Sequence, residues 1–64
     1  MDAKEEGIDQ IRMVMQQVTQ MGNNDSEIPT LTHLIEDIEA GADVQETVQK
    51  AQGILNAKIM NNYH

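Results

Sequence analysis

Cysteine is absent from this chain, which excludes disulfides, thiol nucleophiles and cysteine-ligated zinc or iron–sulfur centres. Aromatic residues are almost missing too, with no Phe, no Trp and one Tyr at position 63. Basic residues are scarce. Four Lys+Arg stand against eleven Asp+Glu, a formal charge of -7, which opposes a nucleic-acid binder that depends on attraction to phosphate. No apolar run approaches the roughly 20 residues that cross a bilayer, and the start, Met1-Asp2-Ala3-Lys4-Glu5-Glu6, is too acidic for a signal peptide. No membrane association and a cytoplasmic setting are therefore expected. No stretch alternates apolar and polar residues over four or more positions, so no strand is expected. Sixty-four residues suffice for one small domain and no more.

The chain does contain three amphipathic helical segments. The first is expected over 3–21. Asp2 and Glu5 are placed as a capping box, Gly7 weakens the first turn, and Ile8, Ile11, Met15 and Val18 form the apolar stripe. Val14 and Met21 flank that stripe, and Met13 falls off it and is expected to be exposed. Gly22-Asn23-Asn24-Asp25-Ser26 then breaks the helix through a C-terminal glycine and turn-forming side chains.

Because Pro29 biases Ile28 away from α geometry, the second helix is expected over 30–40, with Leu31, Leu34, Ile35 and Ile38 turned inward. A start at Ser26, with Pro29 inside the first turn, is the less favoured version. Gly41 supplies the next break, and Asp43-Val44-Gln45-Glu46 is a second capping box. A third helix over 44–60 follows, burying Val44, Val48, Ala51, Leu55 and Ile59, with Gly53 on its far side and residues 61–64 fraying. The expected fold class is all-α: a small three-helix domain, helix one plus an antiparallel hairpin of helices two and three.

Seven Ile, three Leu, four Val and five Met supply the apolar volume. Chains this short commonly need a staple. With no cysteine and no evident metal site, self-association, with a dimer favoured, is the expected one. Met15 and Val18 lie beyond the reach of a ten-residue second helix, which spans only about 15 Å, and are expected to be covered by another chain.

Charge is spread unevenly. Between Met13 and Glu46 there are seven acids and no base, whereas Thr47–His64 carries two lysines and no acid. Glu36, Asp37 and Glu39 crowd the end of helix two, where the macrodipole disfavours negative charge. With Met13, they are the candidate partner-binding residues.

Chemistry-bearing patterns are weak. His33, Glu36 and Asp37 have i, i+3, i+4 spacing, but di-iron bundles use Glu-x-x-His on two helices, and here there is no second copy. Asn23-Asn24-Asp25-Ser26-Glu27 does not meet the EF-hand pattern. Ser26 is the only serine, and neither His33 nor His64 has an evident relay. No enzyme, cofactor or metal is expected.

The chain is expected to be a non-catalytic, acidic protein–protein interaction module: a regulator, adaptor or assembly accessory with a protein partner, for which a basic surface is one expectation. An inhibitor that mimics nucleic-acid charge is the alternative. A helix-turn-helix DNA binder presenting Gln45, Gln49, Lys50 and Gln52 is the third reading, and it requires a positive stripe along helix three.

Overall fold

The computed structural model describes residues 2–22 and 26–61. Among them there are three helices and no strand: α1 (Ala3–Met21), α2 (Glu27–Glu39) and α3 (Val44–Asn61). The expected turn residues Asn23, Asn24 and Asp25 and the expected fraying of residues 62–64 lie outside the described residues. No helix among the described residues is long and apolar enough to cross a membrane.

Local chemistry accounts for most of the boundaries. Asp2 caps α1 from an extended conformation, its side chain accepting from the Lys4 N–H at 3.3 Å. Glu5 and Glu6 add favourable negative charge to that first turn. At the other end Gly22 has φ +75°, and its N–H reaches the Thr19 carbonyl at 3.2 Å. Asp43 caps α3, its carboxylate accepting from the Glu46 N–H at 2.9 Å. The turn between α2 and α3 depends on Gly41 at φ +110°, a conformation L side chains rarely adopt. It lets the Gly41 and Ala42 N–H groups return to the Ile38 and Asp37 carbonyls, at 3.1 and 2.9 Å.

The start of α2 corrects the sequence-based expectation. The helix begins at Glu27, not Thr30, with Pro29 as its third residue. The first four N–H groups of a helix have no intrahelical partner, so the missing proline donor costs nothing there. Extending the helix by three residues also adds about 4.5 Å of length. That extension places Ile28 against the core and Glu27 within 3.6 Å of Lys58, and together these outweigh the pre-proline bias.

Contacts between the helix ends define how they pack. Lys4 near the start of α1 reaches Glu39 at the end of α2. Lys58 near the end of α3 reaches Glu27 at the start of α2. Gly7 of α1 lies against Val44 and Val48 at the start of α3. Thus α1 and α3 run in the same direction with α2 opposed, in a body of 38 × 17 × 17 Å.

The buried core takes Ile11, Val14 and Val18 from α1, Leu31, Leu34 and Ile38 from α2, and Val48 and Ala51 from α3. Ile8, Met15, Ile35, Val44 and Leu55 are half-buried against it, and Ile59 is half-buried. Val14, read from the sequence as a flank, belongs to the core because α1 packs on two helices and buries a stripe wider than a single partner would. The expectation that Val18 needs a second chain is also corrected: its exposure is 0% in the lone chain, where it belongs to the core that all three helices build. The only buried polar residue among those described, Thr47, donates its hydroxyl to the Asp43 carbonyl at 2.7 Å, so its burial leaves no orphaned group.

Gly7 turns out to be a packing residue. It is buried, and a Cβ there would collide with Cγ1 of Val44 and meet Val48 and Ile38 at 3.4 and 3.5 Å. Gly7→Ala should therefore lower stability by about 1–2 kcal/mol, since overpacking outweighs the helix propensity gained. Urea denaturation of Gly7→Ala, Val44→Ala and the double variant checks this. In the Val44→Ala background the penalty should shrink or reverse, and a Gly7→Ala chain more stable than the parent would contradict the close approach. Gly53 is the opposite case, exposed with open space around it. Gly53→Ala should raise stability by about 0.5–1 kcal/mol in the same assay.

Candidate functional site

The three acids at the end of α2 all lie on its exposed side, spread across it with Glu36 in the middle. Glu36 and Glu39, three positions apart, are neighbours on the helix surface, whereas Asp37 and Glu39 diverge by about 160° around the helix. Glu36 faces outward and pairs with His33, Nδ1 to Oε1 at 3.5 Å, with the two side chains 63% and 77% exposed. Glu39 turns towards α1, where it lines an open groove with Asp2, Glu5 and Asp9, the cations Lys4 and Arg12, and Ile8. Asp37 lies on the other flank.

Their burden on the helix dipole is partly relieved from elsewhere in the chain. The Lys4 ammonium donates to the Glu39 carbonyl at 3.4 Å, which places a cation at the negative end of α2. Arg12 sits 3.9 Å from Asp9 on α1, exposed. Lys58 pairs with Glu27 at 3.6 Å, their side chains 12% and 27% exposed, so this pair is far more sheltered than Arg12–Asp9. Three of the four basic residues and His33 are thus engaged with acids or carbonyls of their own chain.

That pairing bears on the DNA-binding reading. Gln45, Gln49, Lys50 and Gln52 are exposed on α3, but Lys58 is drawn to α2 and Glu46 accompanies Lys50 on the outer surface. The positive stripe that a recognition helix requires is not formed. The described residues also contain no group of three or more His, Asp or Glu placed to hold a metal. His33 and Glu36 meet as an exposed polar contact that Asp37 does not join.

A different surface emerges along the seam of α1 and α3. Its upper part is lined by Glu6, Gly7 and Gln10 against Val44, Gln45, Val48 and Gln49. Its lower part is lined by Met13, Val14 and Gln17 against Gln52 and Leu55. Five of the seven glutamines gather there, and Glu6 is the one charged residue on that lining. Met13, 59% exposed, stands on this seam, in agreement with its placement off the apolar stripe. Met60, 73% exposed, lies four residues beyond Asn56 and eight beyond Gln52, on the same side of α3. From the sequence alone these glutamines look scattered over polar faces. Only the side-by-side placement of α1 and α3 brings them together.

No protein-family model, no curated protein and no solved structure matches this chain.

The sheltered Lys58–Glu27 pair should be measurable. A double-mutant cycle with Lys58→Met and Glu27→Gln should give a coupling of up to about 1 kcal/mol that falls as salt is added. A zero coupling at low salt would mean that the pair does not tie the far ends of α2 and α3 together.

Proposed function

We propose that this chain is a non-catalytic helical interaction module, a regulator, adaptor or assembly accessory that works in the cytoplasm by binding a protein partner and associating with itself. The observation that carries this reading is the division of its surface. Among the described residues, a closed apolar core leaves two large hydrophobic side chains exposed, Met13 and Met60. Met13 lines a glutamine-rich seam whose one charged lining residue is Glu6, and Met60 lies further along the exposed side of α3. Methionine is flexible and polarisable, and exposed methionines suit adaptable apolar contact. Self-association on this reading is a surface event and does not complete the core, since Val18 and Ile11 are already fully buried.

The charge-mimic inhibitor is the second reading, favoured by the groove where Asp2, Glu5, Asp9 and Glu39 meet. It is weakened by Lys4 and Arg12 in the same groove and by the separation of Asp37 from Glu39. The DNA-binding reading loses its support with the engagement of Lys58.

Capture of the partner from the source cell, followed by titration of the purified pair, separates the first two. An adaptor docking through the apolar seam should bind with little salt dependence and should tolerate replacement of Glu36, Asp37 and Glu39 by Gln. Affinity that falls steeply with salt and is lost in the triple Gln variant would overturn the adaptor reading in favour of the charge mimic. The same triple variant should gain modest thermal stability under either reading, because it removes repulsion and an unfavourable dipole interaction.

A further inference from the structure

The geometry points to a second copy of this chain as the occupant of the α1–α3 seam, docked by the same seam in a two-fold symmetric dimer. This deepens the interaction-module reading and rests on it.

Charge decides which faces two copies can share. Each chain carries -7, so two copies repel wherever their acids approach. The groove of α1 and α2 presents four carboxylates against two cations, and the outer side of α2 presents Glu36 and Asp37. The α1 side of the seam, by contrast, offers Gln10, Met13 and Gln17, with Glu6 at one end. The α3 side offers Gln45, Gln49 and Gln52, continued by the exposed Asn56 and Met60, with the oppositely charged Glu46 and Lys50 beside Gly53 at its outer edge. This is the surface on which two like-charged copies can meet with little repulsion.

Symmetry adds a second requirement that these residue types meet. In a two-fold interface the same patch faces itself, and residues near the axis meet their own counterparts. A carboxylate there would oppose a carboxylate. A glutamine amide carries both donors and an acceptor and can pair reciprocally with another, and two methionines pack without a polar partner. Gly53, with nothing within 4 Å of where a Cβ would stand, leaves room for a partner's backbone to come close.

The test is sedimentation velocity over a concentration series to about 1 mM, the weak end of measurable association, at low and high salt. The parent chain should pass from 7.2 kDa to twice that mass. The dimer should tighten as salt rises, because screening removes the repulsion between acidic copies. Met13→Glu and Gln49→Glu should each weaken the dimer at least about tenfold, since each sets like charges against each other across the interface. Both positions are exposed, so circular dichroism and the thermal midpoint should stay close to the parent's. Thr32→Glu, which adds the same charge on the exposed side of α2, should leave dimerisation within about twofold. A dimer that survives both seam variants overturns the assignment of this face. A parent chain that stays monomeric at high salt overturns self-pairing altogether, and with it the self-association in the module reading, whereas binding to another protein is tested separately by the salt dependence of partner capture.

Discussion

The distance between α1 and α3 depends on the absent side chain of Gly7. At that point the backbone of α1 comes so near the start of α3 that a methyl group would run into Val44. Because the two helices close up there, α1 touches both of its neighbours, and Val14, Val48 and Ala51 are shielded together. If the helices were held apart, α1 would bury only the flank facing α2, and a domain this small has little apolar area to lose. A residue that costs helix propensity thus gains more in packing than it gives up.

Electrostatics follow from the same placement. Along the sequence the stretch from Met13 to Gln49 holds seven acids and no base, as though α2 had nothing to relieve its charge. In three dimensions Lys4 arrives from α1 at the C-terminal end of α2, and Lys58 arrives from α3 at its N-terminal end. One cation serves the helix dipole and the other an acid in a partly sheltered setting. Drawing the bases inward to α2 leaves the outward side of α3 without a positive stripe and the α1–α3 seam almost uncharged. The surface available for binding is therefore a consequence of how the fold satisfies its own acids.

How far the sequence carries this picture depends on how local each signal is. The extents of α1 and α3 follow from caps a few residues long, Asp2, Gly22 and Asp43, and are legible without tertiary information. The start of α2 is less so, because the pre-proline bias competes with packing of Ile28 and pairing of Glu27, and neither is visible until α3 is in place. Val14 was read as a flank because a single stripe suits one neighbour, whereas α1 has two. Of the acids that cluster in sequence, Glu36 and Glu39 stay neighbours on the helix, while Asp37 and Glu39, two apart, diverge. The glutamine seam has no linear signature at all: its halves lie within 6–17 and 44–55, with all of α2 between them, and meet only because α1 and α3 run side by side.

The central claim is that α1 closes the core of its own chain. Amide hydrogen exchange at a concentration low enough to keep the chain monomeric tests it most directly. The most protected amides should come from all three helices, around Val18, Ile38 and Ala51, and should open with one common free energy. Fast exchange throughout α1 beside a protected α2–α3 pair would contradict the account, because it would mean that α1 packs on its own chain only when a second copy is present.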